Sequence, residues 1–122
     1  MNNPTLTQKQ CEAVADLLVL AMCIDGHFSL TEEEKITQKI SNLGWDPDLS
    51  PDHHVHLSIA RARDVVDSPE KIRFYVEQRA ETLADPHTKN FAYKKAEDLL
   101  KSDGLKKEEG TFLVQLRDIL GV

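Results

Sequence analysis

The sequence predicts an all-helical fold, a compact single-domain bundle of about six helices. Three observations carry this. Apolar residues recur at helical spacing along nearly the whole chain, and no alternating strand pattern appears. Helix-start signals of the Ser-Pro or Asp-Pro type occur at Ser50-Pro51, Ser68-Pro69 and Asp85-Pro86. Two Asp-Gly steps, Asp25-Gly26 and Asp103-Gly104, each follow a leucine-rich segment and precede an acidic one ending in Leu-Gly. Gly44 and Gly121 close these units 19 and 18 residues after their aspartates. The chain therefore reads as two pseudo-symmetric helix-Asp-Gly-helix units within one domain, residues 1–122.

The first helix starts at or near Thr7 and runs to about Ile24, with an apolar stripe of Val14, Leu17, Leu18 and Ala21. Gly26 supplies the left-handed conformation that ends it. Thr31-Glu32-Glu33-Glu34 reads as a capping box for a second helix carrying Ile36, Ile40 and Leu43 and stopping at Gly44. A loop at 46–49 leads to Ser50-Pro51 and a stripe of Val55, Ile59, Ala62 and Val66. Ser68-Pro69 opens a helix that buries Ile72, Val76 and Leu83, with Tyr75 and Ala80 alongside. Asp85-Pro86 opens one using Phe91, Ala92, Ala96 and Leu99. The last helix uses Phe112, Leu113, Leu116, Ile119 and Leu120.

Charge narrows the function. The net charge is −6. Nucleic-acid binding needs phosphate-neutralising Lys and Arg, so no nucleic-acid partner is expected. An acidic surface suits cations or basic protein surfaces. The longest apolar run, Leu17 to Ile24, is far short of the roughly 20 residues that span a bilayer, so no membrane insertion is expected. Met1-Asn2-Asn3-Pro4 carries neither the basic nor the apolar region of a signal peptide. Cys11 and Cys23 lie 12 residues apart in one helix, about 18 Å along its axis, too far for a disulfide. Free thiols suit a reducing compartment, and a cytoplasmic location is expected.

No catalytic signature is present. There is no glycine-rich phosphate loop, no Gly-x-Ser-x-Gly elbow and no His-Glu-x-x-His motif. Neither Cys11 nor Cys23 has the basic neighbourhood of a nucleophile.

Two clusters are candidates for cation chemistry. At the Asp-Gly steps, Asp25 and Asp103 continue the core-facing stripes of their helices, where a carboxylate needs donors or a cation. One reading is local, with each Asp accepting from backbone N–H groups just downstream. A second is a divalent cation held by carboxylates of both turns: Asp25 with Glu32, Glu33 and Glu34, and Asp103 with Glu108 and Glu109. A third is a buried ion pair to Arg79, which lies within the apolar stripe of its own helix. Neither turn fits the EF-hand loop. The other cluster is Asp52, His53, His54 and His56 at a helix start. Asp52 and His56 are one turn apart, His53 and His56 nearly so, and His54 points elsewhere. Such pairs chelate zinc or nickel when a third ligand is supplied; otherwise they are a solvated first turn. A small metal-dependent hydrolase using His53 and His56 is the enzyme alternative. Trp45 is expected to pack against a helix end, and Phe74 to face either a partner or a second layer.

The pattern of apolar helix, Asp-Gly, acidic helix start and Leu-Gly resembles the TerB-like (tellurite resistance B) family, whose related domains also occur beside DnaJ-type co-chaperone modules. Leu17–Gly26, Glu32–Gly44 and Leu99–Gly121 carry the resemblance. It implies a compact helical domain with internal two-fold pseudosymmetry and a bacterial stress-response or scaffolding role through a protein partner. It is compatible with a divalent cation at the acidic turns; the alternative is a metal-free protein-binding scaffold or co-chaperone-like module. By position, Asp25 and Glu32 match the first aspartate and its glutamate, and Asp103 and Glu109 match the second pair. Here the second loop is one residue shorter. Glu109 follows its aspartate by six residues instead of seven, and His27 and Leu105 stand where an acid is frequent.

Overall fold

The structure is a computed structural model that describes residues 5–24, 26, 28–102 and 104–122. Six helices are present among them: α1 (Gln8–Cys23), α2 (Leu30–Ser41), α3 (Pro51–Arg63), α4 (Pro69–Leu83), α5 (Pro86–Ser102) and α6 (Lys107–Leu120). No strand occurs among the described residues. None of the helices is long and apolar enough to cross a membrane.

α1 is the organising element. It packs on α2, α3, α4 and α5, while α6 covers α4 and α5. Every residue from Ala13 to Cys23 is buried. The expected four-residue stripe is thus too narrow: α1 is enclosed on all sides, as an all-round hydrophobic helix must be. Cys11 and Cys23 are both buried. Burial, with the neighbouring Glu12 charge, pushes the Cys11 thiol up from its ordinary value, so it is a packing residue.

The helix starts follow local chemistry. Thr7 caps α1 and exchanges hydrogen bonds with Gln10. Ser50 and Ser68 accept from His53 and Lys71 N–H, with Pro51 and Pro69 just inside. Asp85 accepts from both the N–H and the hydroxyl of Thr88. The α2 start differs from the sequence reading. Ser29, not Thr31, is the cap, and it forms its box with Glu32. Gly26 and Gly104 follow α1 and α5 with φ of 80° and 83°, left-handed values that glycine adopts without strain.

One turn is made without glycine. Ala84 links α4 to α5 at φ 71° and ψ −64°, and Asp85 N–H bonds back to Leu83 C=O at 2.9 Å. This is a γ-turn of the rare, strained hand. The Leu83 carbonyl also accepts from Gln10 Nε2 of α1, which pins the turn to the core helix. A non-glycine residue in such a region stores about 1–3 kcal/mol. Ala84→Gly should therefore stabilise the protein by up to about 1 kcal/mol, after the extra unfolded-state freedom of glycine is subtracted. Urea denaturation checks this; a lower midpoint in the glycine variant would contradict it.

Candidate functional site

Two polar constellations stand out, both involving α3. One is buried and the other lies on the surface.

The buried one centres on Asp16 of α1, only 5% exposed amid apolar neighbours. An isolated carboxylate there would be untenable, so it must be paired. Arg79 of α4 donates Nε–H to Asp16 Oδ2 at 3.0 Å, and His54 Nε2 of α3 lies 2.9 Å from Oδ1. One carboxylate thus ties three helices together. Burial alone would raise the Asp16 carboxyl. The His54 hydrogen bond and the Arg79 and His54 charges outweigh it and hold the group below its ordinary range. Arg79 stacks on the Tyr75 ring at 3.8 Å, and His54 packs against Trp45 with ring centroids 5.5 Å apart. Burial, then the Asp16 charge, pushes the Tyr75 hydroxyl up to about 12. Ser58 sits close to both Asp16 and Tyr75. Even so, the Ser58 and Tyr75 hydroxyls and the Trp45 indole N–H have no partner in hydrogen-bond geometry among the described residues. Ser58 is fully buried, so it cannot meet a substrate and is no nucleophile.

This group floors a cleft of about 350 Å³ between α1, α3 and α4. Lys9, Glu12, Arg61, Gln78 and Thr82 form its walls.

The surface constellation joins α2 to α3. His56 Nε2 lies 2.9 Å from Glu33 Oε1 and 3.5 Å from Asp52 Oδ2. One ligand atom from each of the three falls within 4.8 Å of the others. Ligands about 2.0–2.1 Å from a tetrahedral zinc stand roughly 3.3 Å apart. The two separations from His56 bracket that value, and a closure of Glu33 on Asp52 from within 4.8 Å would complete three corners. His56 and Asp52 are about 60% exposed and Glu33 is largely covered, which leaves the fourth corner to water.

Of the residues singled out by sequence, Asp52 and His56 come together as their one-turn spacing requires. The third group beside them is Glu33 of α2, while His53 stays exposed on the first turn of α3. His54 turns inward, to Asp16. Arg79 forms a buried ion pair, and its partner is Asp16. Glu32 and Glu109 each direct a carboxylate oxygen at a helix start, onto Ser29 N–H and Lys106 N–H, both at 3.0 Å. The Asp25 and Asp103 part of the acidic-turn site lies outside the described residues. Trp45 is buried, as expected, while Phe74 is 63% exposed and covers no second layer.

In the sequence, Asp16 stands only as the residue before the apolar run Leu17 to Ile24. The signal was available: a carboxylate inside an otherwise all-buried helix demands a partner. Compared with protein-family models, curated proteins and solved structures, the chain matches none.

Proposed function

We propose that the chain is a TerB-like helical interaction module that takes up a divalent transition-metal cation at the α2–α3 seam. The observation carrying this reading is the convergence of Glu33, Asp52 and His56 from two helices. One imidazole with two carboxylates suits zinc or nickel better than calcium, which prefers oxygen ligands alone. The cation would clamp the start of α3 to α2, replacing the His56–Glu33 hydrogen bond with stronger bonds. The exposed setting favours binding over hydrolysis, because the three ligands lie outside the cleft and enclose no substrate.

The family resemblance supports a stress-response or scaffolding role in the bacterial cytoplasm, with a protein partner. The matching backbone caps made by Glu32 and Glu109 support treating the two units as related. Exposed Phe74 on α4 is the aromatic anchor we assign to the partner contact.

A thermal-shift titration of chelator-treated protein tests the cation. Zinc or nickel should raise Tm progressively with concentration, by an amount equivalent to about 2.7 kcal/mol at a hundredfold excess over Kd. His56→Ala should abolish the rise without changing the metal-free Tm appreciably, since the side chain is exposed. A rise that survives His56→Ala but vanishes in the Asp25→Ala/Asp103→Ala variant would move the site to the acidic turns. A flat response to every cation would sink both.

A further inference from the structure

We propose that the cleft between α1, α3 and α4 binds a small oxyanion, a carboxylate or phosphate group on a metabolite-sized molecule. Its volume, about 350 Å³, falls in the range of small-molecule sites.

The charges around it are the first argument. Lys9 and Arg61 face this cleft from α1 and α3, and neither has an ion-pair partner among the described residues. The protein as a whole carries a net charge of −6. Asp16 balances Arg79 at the floor. Glu12 is the one further acid on the walls, and it accepts from Gln8 Nε2. Among the remaining Lys, Arg and acidic side chains, Lys9 and Arg61 outweigh Glu12 by one positive charge, the complement of one oxyanion.

The second argument is rigidity. Arg79 is fixed before any ligand arrives. Its Nε–H is held by Asp16, its plane rests on Tyr75 and its Nη1 leans on Gln78 Oε1 at 3.4 Å. A guanidinium has five N–H donors in a planar fork, so donors are left over for an oxyanion. Placing a pre-set guanidinium avoids the ordering cost that weakens most surface arginines. The Gln78 amide and Thr82 hydroxyl on the α4 wall add neutral donors beside it.

The test is calorimetric titration of the chelator-treated full chain, at low ionic strength, with inorganic phosphate and separately with succinate. At least one anion should bind saturably. Lys9→Gln/Arg61→Gln should weaken that binding at least tenfold with Tm unchanged. Lys94→Gln/Lys107→Gln, which removes the same charge from α5 and α6, should leave it intact. Binding of phosphate alone or succinate alone supports the site and names the group it takes. No saturable heat with either anion overturns the proposal, as does equal weakening in both double variants. His56→Ala should bind the anion as the parent does, so this site and the metal site fail separately.

Discussion

Asp16→Ala is expected to destabilise the protein by about 3–5 kcal/mol, the usual result of removing one partner from a buried ion pair. The loss exceeds that of an ordinary surface pair, worth about 0–1 kcal/mol, because two groups are stranded at once. Arg79 keeps its charge in a largely covered position, and His54 loses the acceptor that orients it. A domain of this kind has roughly 5–15 kcal/mol in total, so urea denaturation should show a large fall in midpoint. Asp16→Leu/Arg79→Met tests the cause. If the single variant suffers from an uncompensated charge, removing both charges should recover much of the loss. A double variant as unstable as the sum of its singles would show instead that the two residues act independently.

The same carboxylate gives the pH dependence a sign. Asp16 titrates below its ordinary value of 3.8 when folded, and near that value when unfolded. Its contribution is therefore complete above about pH 5 and drains away as pH falls toward the folded value. Asp16→Asn should flatten the stability profile in that acidic window. A variant that keeps the parent's acid slope would assign that slope to other carboxylates.

Why were the helices legible and the sites only half so? Helix starts are local chemistry. Ser50-Pro51, Ser68-Pro69 and Asp85-Pro86 each hold a side-chain acceptor and a residue that needs no N–H partner, so they act whatever packs above them. The α2 start was ambiguous for the same reason. Ser29-x-x-Glu32 and Thr31-x-x-Glu34 are chemically equivalent boxes. The earlier one prevails by adding two residues to the helix, with a backbone bond from Glu33 N–H to Ser29 C=O. Within α3, Asp52 and His56 were readable because a helix sets their spacing. Glu33 was not, since it arrives from another helix and only the α2–α3 packing brings it near. Lys9, Arg61 and Arg79 share a cleft for the same non-local reason. A charged residue in sequence declares that it needs a partner; it does not say which.

The centrality of α1 leads to the other large effect. Leu17→Ala should destabilise by about 2–5 kcal/mol, near the upper end of that range. Deleting a buried leucine removes its transfer free energy and leaves a cavity whose cost depends on how far the surroundings can close in. Leu17 is fully buried on a helix enclosed by α2, α3, α4 and α5. A wall of packed helices on several sides cannot collapse onto the void without moving contacts made elsewhere. An exposed leucine gives the contrast: Leu30→Ala at the first turn of α2 should change stability by no more than about 0.5 kcal/mol. Denaturant titrations of both variants check the pair. Similar small effects would mean that α1 lies at an accessible face, as the narrow stripe in the sequence suggested, and not at the centre of the bundle. The two large effects should also add. Leu17 and Asp16 are adjacent in sequence but leave successive positions of the helix in different directions, one toward apolar neighbours and one toward Arg79 and His54. Near-additivity in the double variant would show that the apolar and ionic attachments of α1 hold the helix independently.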